Sequence, residues 1–128
     1  MKREEMVKKL DAFVECFHNR DLDGAIAMFA ENGSAEHWTR QKLVGRQAIR
    51  EEMRHFFNPA MGRIHYDVER VDVDESSNVA WSVWVMTLTK DGTASVMHGC
   101  DTFEFDNHGL ITRNAVFVKT DQPKFEAK

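Results

Sequence analysis

The chain has 128 residues, a formal net charge of -4, and hydrophobic and charged shares of 42% and 30%, which predict one soluble globular domain over residues 1–128. The acidic balance argues against nucleic acid or an anionic membrane surface as a partner, because both require a basic face. The longest apolar run, residues 83–86, is too short to cross a bilayer.

The first part of the chain is predicted to be helical. Apolar residues at helical spacing mark a first helix of about four turns, and these are Met6, Val7, Leu10, Phe13, Val14 and Phe17. Asp21 is the expected N-cap of a short second helix that includes Phe29 and ends at Asn32-Gly33. Residues 34–39 are expected to form a short strand.

A third helix is predicted after Gly45, ending at Asn58-Pro59. Beyond it the apolar period becomes two, which is typical of strands, and a change of parity near Glu69-Arg70 indicates a bulge. Asp91-Gly92 is a strong signal for a two-residue hairpin. Three long strands follow from this pattern, at about residues 79–90, 94–105 and 110–119. The charged tail, about residues 120–128, is expected to fray or to cover a sheet edge. The fold class is therefore α+β, with helices first and a curved sheet second.

Both faces of the long strands are apolar. We expect the three helices to cover the concave face, and a second copy of the chain to cover the convex face that carries Trp81. This predicts a homodimer, and the alternative is that Trp81 is simply half exposed in a monomer.

Asp101 is the unexpected residue on the concave face, because its parity is otherwise shared by Met97, Gly99, Phe103 and Phe105. A buried carboxylate costs free energy unless it is paired, hydrogen-bonded or protonated. A bulge could turn Asp101 outward, Arg113 could pair with it, or it could serve chemistry, and the pattern leaves these open. Asn114 is similarly either a ligand contact or a core amide bonded to the backbone.

No metal or cofactor is predicted. The histidines have no i, i+2 or i, i+4 pairs, the two cysteines are far apart, and no glycine-rich phosphate loop is present. Cys16 and Cys100 are expected to be reduced packing residues, which suits a cytoplasmic protein. His18, His55 and His108 are expected in solvent, and His98 on the convex face.

Three segments resemble the nuclear transport factor 2-like superfamily, in its SnoaL-like polyketide cyclase and ketosteroid isomerase group. They are residues 21–30 (DLDGAIAMFA), 45–50 (GRQAIR) and 99–109 (GCDTFEFDNHG). They occur in family order, and the resemblance covers about residues 5–119. It implies a cone-shaped α+β barrel of the cystatin-like type, with three helices closing a curved sheet around an apolar pocket, usually as a homodimer.

The resemblance to the ketosteroid isomerases also implies roles for single residues. Asp101 matches their oxyanion-hole aspartate, and their general-base aspartate falls at or beside His37. Their oxyanion-hole tyrosine falls at Phe13, which has no hydroxyl. The unaltered isomerase mechanism is therefore not expected, and a histidine would replace the carboxylate base.

The predicted site combines His37 and Asp101 as catalytic residues with a substrate-binding wall formed by Phe13, Phe17, Trp84, Met86, Phe103, Asn114 and Val116. A neutral imidazole can accept a proton near pH 7. A protonated Asp101 could donate to a developing enolate oxygen, and Asn114 could add a second donor. A one-residue shift of the first strand would instead point Glu36 inward as the base.

Three functions remain open at this point. The first is a cofactor-independent isomerase, cyclase or dehydratase that acts on a small hydrophobic carbonyl compound. The second is a protein of the same fold that binds a small hydrophobic ligand without catalysis. The third is a dimeric interaction module. A buried polar cluster favours the first, and the missing hydroxyl at Phe13 favours the second.

Overall fold

Within the described part of the chain, residues 1–120 of a computed structural model, three helices cover one face of a six-stranded sheet. The helices are α1 (Arg3–His18), α2 (Leu22–Ala27) and α3 (Arg46–Phe57), and a 3₁₀ turn follows at Pro59–Met61. The strands are β1 (Phe29–Glu36), β2 (Lys42–Val44), β3 (Arg63–Asp74), β4 (Val79–Lys90), β5 (Thr93–Phe105) and β6 (Ile111–Val118).

The described strands are ordered β2-β1-β6-β5-β4-β3. Strands β1 and β6 run parallel, and the other neighbouring pairs run antiparallel. The sheet is curved but not closed, since β2 and β3 are its two edges. The predicted α+β class with a mixed, curved sheet is confirmed, and helices rather than further strands complete the enclosure.

The segment after α2 was predicted wrongly. Helix α2 ends at Ala27 instead of Asn32-Gly33, and Phe29 is the first residue of β1, paired with Ile111. The register of β1 shifts between Phe29 and Ser34, and there the Arg46 guanidinium donates to the Phe29 carbonyl over 2.9 and 2.6 Å. The helical spacing that ends at Phe29 is too short to compete with strand pairing in the tertiary structure.

The predicted strand over residues 34–39 also ends earlier, at Glu36. Strand β2 was not predicted, because its three residues carry too little pattern. Glu36 pairs with Lys42, so the connection between β1 and β2 is tight. Within it the His37 N–H donates to the Gln41 carbonyl over 2.7 Å, which fixes the backbone of His37.

The long strands follow the predicted pattern closely. The bulge in β3 is confirmed as a register shift between Val68 and Arg70. The hairpin between β4 and β5 places Asp91 and Gly92 at φ values of 52° and 77°, the left-handed region that a tight hairpin turn requires. Alternation along β4 buries Ala80, Ser82, Trp84 and Met86 against the helices.

Helix packing forms the main core between α1 and the sheet. The largest fully buried side chains are Phe29, Phe103, Met6, Ile49 and Ile111. Phe13 of α1 meets Phe29 and Phe103 edge to face, with ring centroids 5.9 and 5.5 Å apart. These contacts hold α1 across β5 and place Phe13 beside the strand that carries Asp101.

Three further features are the tail, the length of the helices and the cysteines. The tail predicted over residues 120–128 lies outside the described residues apart from Thr120. In the described segment no helix is both long and apolar enough to cross a membrane. Cys16 and Cys100 are not joined by a disulfide in the described residues.

The predicted N-cap of α2, Asp21, can be tested directly. The Asp21 carboxylate accepts the Gly24 N–H over 2.9 Å. We predict that Asp21→Ala lowers the free energy of unfolding by about 1 kcal/mol, because that amide loses its partner. Urea denaturation measures the change, and Asp11→Ala on the exposed face of α1 is the control. An equal effect of the two substitutions would contradict the capping role.

Candidate functional site

A cavity of about 200 Å³ lies between the helices and the concave face of the sheet. Its wall is almost entirely apolar, and it is larger than the ~150 Å³ cavities known to hold benzene. Of the predicted wall residues, six border it: Phe13, Phe17, Trp84, Met86, Asn114 and Val116. The two predicted catalytic residues, His37 and Asp101, border it as well.

Phe103 is placed differently from the prediction. It is 2% exposed, packs against Phe13, and lies behind the main cavity. It borders a second, small cavity of about 20 Å³ instead, together with Phe13, Trp84 and Asp101. Parity correctly put Phe103 on the concave face, but the position of α1 decides that it is core.

Asp101 points into the protein. It pairs with Ser82 and Val116 in a regular part of the sheet, so no bulge turns it outward. Its Oδ1 is buried without a hydrogen-bond partner. Arg113, the other partner considered, binds Glu36 and Glu104 instead. Burial raises the pKa of Asp101 to about 7, and the Trp84 indole N–H, which is directed at the carboxyl and favours its ionised form, opposes this shift.

Three buried side-chain polar atoms in the described residues have no hydrogen-bond partner. They are His37 Nε2, Trp84 Nε1 and Asp101 Oδ1. All three residues border the main cavity. Buried polar groups are nearly always hydrogen-bonded, so three unsatisfied atoms around one apolar cavity indicate a site for a polar ligand group.

His37 is held by the connection after β1. Its Nδ1 lies 2.8 Å from Thr39 Oγ1 and 3.3 Å from the Thr39 N–H. Its Nε2 lies 3.9 Å from Glu52 Oε1 on α3, which is beyond direct hydrogen-bond distance. Glu52 borders the cavity but was missed, because Glu51-Glu52 looks like an ordinary charged helix face in the sequence.

The alternative base, Glu36, is occupied elsewhere. Both of its carboxylate oxygens lie 3.1 Å from Arg113 Nη2, and Arg113 also binds Glu104. These contacts raise the pKa of Arg113, chiefly through its bond to Glu36. Glu36 borders the cavity, but its charge is already paired, whereas the Nε2 of His37 is free.

Tyr66 is a second cavity residue that the sequence did not assign to the site. Its ring contacts Trp84 edge to face at 5.1 Å and Phe17 at 5.5 Å, and it borders both cavities. Burial, and to a smaller extent the charge of Asp101, raises the pKa of its hydroxyl. Tyr66 is therefore a wall residue near Asp101.

His18 was expected to lie in solvent, but it contacts β3 instead. Its Nε2 accepts the Tyr66 N–H over 3.0 Å, and its ring stacks on His65 at 4.6 Å. It thus joins the end of α1 to β3 beside the cavity. The thiols of Cys16 and Cys100 have raised pKa values, chiefly through burial, which makes them poor nucleophiles. Among residues 1–120, no three His, Cys, Asp or Glu side chains converge as a metal site.

Comparison with known proteins identifies the family to which this chain belongs. The model of the SnoaL-like domain matches residues 10–114, which is most of the chain. The chain belongs to the SnoaL-like family. No curated protein sequence matches the SnoaL-like chain significantly.

Solved structures share the SnoaL-like fold at low identity. SalBIII, an epoxide hydrolase/cyclase-like enzyme of pyran ring formation in salinomycin, superposes with a TM-score of 0.81 at 16% identity, covering 92% of this chain and 93% of its own. Mycobacterium tuberculosis Rv0760c gives 0.80 at 18%, covering 94% and 96%. A protein of unknown function with a cystatin-like fold, from Methylobium petroleophilum, gives 0.81 at 19%, covering 100% and 84%. Rv0760c is also known in complex with estradiol-17beta-hemisuccinate.

The raised pKa of Asp101 links the SnoaL-like site to stability. The unfolded chain loses this proton near its ordinary pKa of 3.8, whereas the folded chain keeps it to about 7. The free energy of unfolding therefore falls as pH rises through this range, by up to about 4 kcal/mol, since each pKa unit is about 1.4 kcal/mol.

We predict that Asp101→Asn removes this slope. The difference in free energy of unfolding, variant minus wild type, should rise between pH 4 and pH 7 and then level off. Urea denaturation at several pH values measures it, and other titrating groups cancel in the difference. A difference that does not change with pH would show that Asp101 ionises normally in the folded chain.

Proposed function

We propose that this protein is a cofactor-independent acid–base catalyst that isomerises, cyclises or dehydrates a small hydrophobic carbonyl compound. The single observation that carries the proposal is Asp101, whose carboxyl is buried without a partner in an apolar cavity. A carboxyl in such a place is biased toward its protonated form and can donate a hydrogen bond to an oxygen that gains charge.

In the proposed reaction a proton leaves the carbon next to the carbonyl group. The electron pair moves to the carbonyl oxygen, and Asp101 donates to the enolate oxygen that forms. The proton then returns at another carbon, or the enolate carbon attacks a second carbonyl, or a β-hydroxyl leaves as water. Each route restores the catalyst without an external oxidant or reductant.

His37 is the proposed base. His37 Nδ1 can accept the Thr39 N–H over 3.3 Å or, when it carries the ring proton, donate to Thr39 Oγ1 over 2.8 Å. The proposed base is the second tautomer, which gives up the bond from the Thr39 N–H and leaves the lone pair of Nε2 free toward the cavity. Once Nε2 takes the substrate proton, the imidazolium lies 3.9 Å from the Glu52 carboxylate, which stabilises its charge. This arrangement favours His37 over Glu36, whose charge is paired with Arg113.

Asn114 makes the backbone bond that was one of the two alternatives left open by the sequence. Its Nδ2 donates to the Thr102 carbonyl over 3.1 Å, and the side chain is 5% exposed. One of its two N–H donors is therefore used by the backbone. Asn114 and Val116 shape the cavity wall, with Phe13, Phe17 and Met86 opposite or beside them.

Binding without catalysis is the second candidate, and the composition of the cavity wall favours it. Phe13 offers no hydroxyl, and nearly all of the remaining wall is apolar. Rv0760c, which shares the fold, is seen with a steroid ester bound. A binding protein would hold the same ligands but would not remove a proton from them.

Exchange of carbon-bound protons tests the catalytic proposal. The probe is 2-tetralone, a bicyclic apolar ketone, and NMR in D₂O follows the loss of its α-proton signals. We predict that the wild type accelerates exchange and that His37→Gln and Asp101→Asn each slow it by about 10²- to 10⁴-fold.

The matched controls are His108→Gln and Asp91→Asn, both in exposed turns, and these should exchange 2-tetralone like the wild type. Unchanged rates in His37→Gln and Asp101→Asn would rule out the assigned roles. Binding of 2-tetralone with no exchange by the wild type would favour the non-catalytic function.

We also propose that the protein is a homodimer joined through the convex face of the sheet. Val83, Cys100 and Phe117 lie side by side on three adjacent strands of that face. Phe117 is 57% exposed, Val96 59% and Trp81 49%. A cluster of exposed apolar side chains on one face of a sheet is typical of an interaction surface. The two unpaired cysteines suit a reducing compartment, and the proposed location is the cytoplasm.

The dimer makes a separate prediction. Phe117→Glu should convert a dimeric wild type into a monomer, because a buried charge without a partner is costly at an apolar interface. Size-exclusion chromatography with light scattering measures the mass. Val44→Glu, an exposed valine on the β2 edge, is the control and should stay dimeric. A monomeric wild type at high concentration would refute the proposal.

A further inference from the structure

The sheet has a gap beside the main cavity, where β1 ends before β6 does. The parallel pairing of β1 with β6 stops at Glu36 and Ala115, whereas β6 continues to Val118 with β5 as its partner. A strand that loses its neighbour leaves room on that side of the sheet. Here the room is an outer cavity of about 500 Å³.

The outer cavity adjoins the main one. Five residues border both, and these are Glu36, His37, Trp38, Val116 and Val118. Trp38 is 47% exposed, and its ring lies beside the His37 imidazole with the two centroids 5.1 Å apart. A molecule in the main cavity that extends past these two rings would therefore enter the outer cavity.

Two cations border the outer cavity and are absent from the wall of the main one. They are Arg40 and Lys42. Neither has an ion-pair partner among residues 1–120. The acid on the outer wall, Glu36, is already paired with Arg113. In a chain with a net charge of -4, the outer cavity therefore has a local excess of positive charge.

The connection that carries Arg40 has a fixed backbone. The Arg40 N–H donates to the His37 carbonyl over 2.9 Å, and the His37 N–H donates to the Gln41 carbonyl over 2.7 Å. Arg40 has a φ of 72°, in the left-handed region that a residue with a Cβ atom adopts at a cost. A glycine or an asparagine would fit this turn more easily, so the turn alone does not account for an arginine there.

We propose, building on the function above, that Arg40 and Lys42 bind the carboxylate of a substrate whose ketone part occupies the main cavity. The substrate class is thereby narrowed to keto acids, in which an apolar ketone carries a carboxylate on a short chain. A guanidinium binds a carboxylate through two parallel N–H donors, and the ammonium of a lysine adds another. Because the carboxylate stays in the outer cavity, the apolar main cavity does not have to bury its charge.

Two ligands of the same shape separate the charge from apolar packing. The probes are 3-benzoylpropionate, an aryl ketone with a carboxylate at the end of its chain, and its neutral methyl ester. Equilibrium dialysis near pH 7 gives both affinities. We expect the double variant Arg40→Gln/Lys42→Gln to lower the ratio of the acid affinity to the ester affinity by about fivefold, since each exposed charge pair contributes only modestly.

The matched control is Lys2→Gln/Lys8→Gln, which removes two positive charges from exposed positions at the start of the chain. It should leave the ratio unchanged. Arg40 and Lys42 are themselves exposed, so their replacement should not disturb the core. An equal loss in the two double variants would indicate an effect of net charge alone, and no loss in either would show that the two cations do not bind the carboxylate. Both results would overturn the proposal.

Salt gives a second measurement that needs no variant. The acid should lose affinity relative to the ester as the NaCl concentration rises from about 0.02 M to about 0.5 M, because salt screens the attraction to the two cations. Without a local cation site, the net charge of -4 would repel the acid, and salt would leave the ratio unchanged or raise it. A ratio that does not fall in the wild type would therefore contradict the proposal.

The proposed function can fail separately from this inference. If the wild type does not exchange the α-protons of 2-tetralone, the catalytic role is lost, while the acid-to-ester ratio still reports whether the two cations bind a carboxylate. If exchange depends on His37 and Asp101 but the ratio is insensitive to Arg40→Gln/Lys42→Gln, the carboxylate site is lost and the catalytic role stands.

Discussion

The burial of the unpaired carboxyl oxygen of Asp101 is the constraint on which the candidate site depends. Asp101 is placed on the concave face by strand alternation, and the helices that cover that face leave the residue partly buried, with its Oδ1 out of contact with solvent. Deprotonation there is unfavourable, so the group remains an acid up to about neutral pH. Arg113, the cation considered as its partner, binds Glu36 and Glu104 instead.

The local sequence around Asp101 serves that arrangement. Gly99 has no side chain, and this is what allows the large indole of Trp84 to cross β5 at that point. Phe13 closes the site from α1 by packing on Phe103, which makes Phe103 a support and not a wall. The small cavity beside Phe13 leaves room next to the carboxyl that another side chain in the position of Phe13 could fill.

Much of this could be predicted from the sequence, because period and parity are local properties. The three long strands and the bulge in β3 follow from alternation. Alternation also puts Asp101 on the parity of the concave face, but it leaves open a bulge that would turn the side chain outward. The choice between Glu36 and His37 could not be made, since a one-residue shift exchanges them and the deciding partner, Arg113, is 77 residues away. The positions of Glu52 and of the Trp84 indole at the cavity depend on side-chain directions, which the spacing of residues in the sequence does not determine.

The same constraint bears on whether the cavity catalyses or only binds. A site that stores an apolar molecule gains nothing from a buried carboxyl, because apolar burial alone provides the affinity. A carboxyl that donates to a carbonyl oxygen binds that oxygen more strongly as its charge increases, so the proposed role of Asp101 would stabilise an enolate more than a ketone. In the proposed reaction the proton that leaves carbon would pass to His37 Nε2, which borders the same cavity. The Glu52 carboxylate, 3.9 Å away, would then stabilise the charge of the imidazolium. This difference is the physical reason why we propose a reacting carbonyl group rather than a passive ligand.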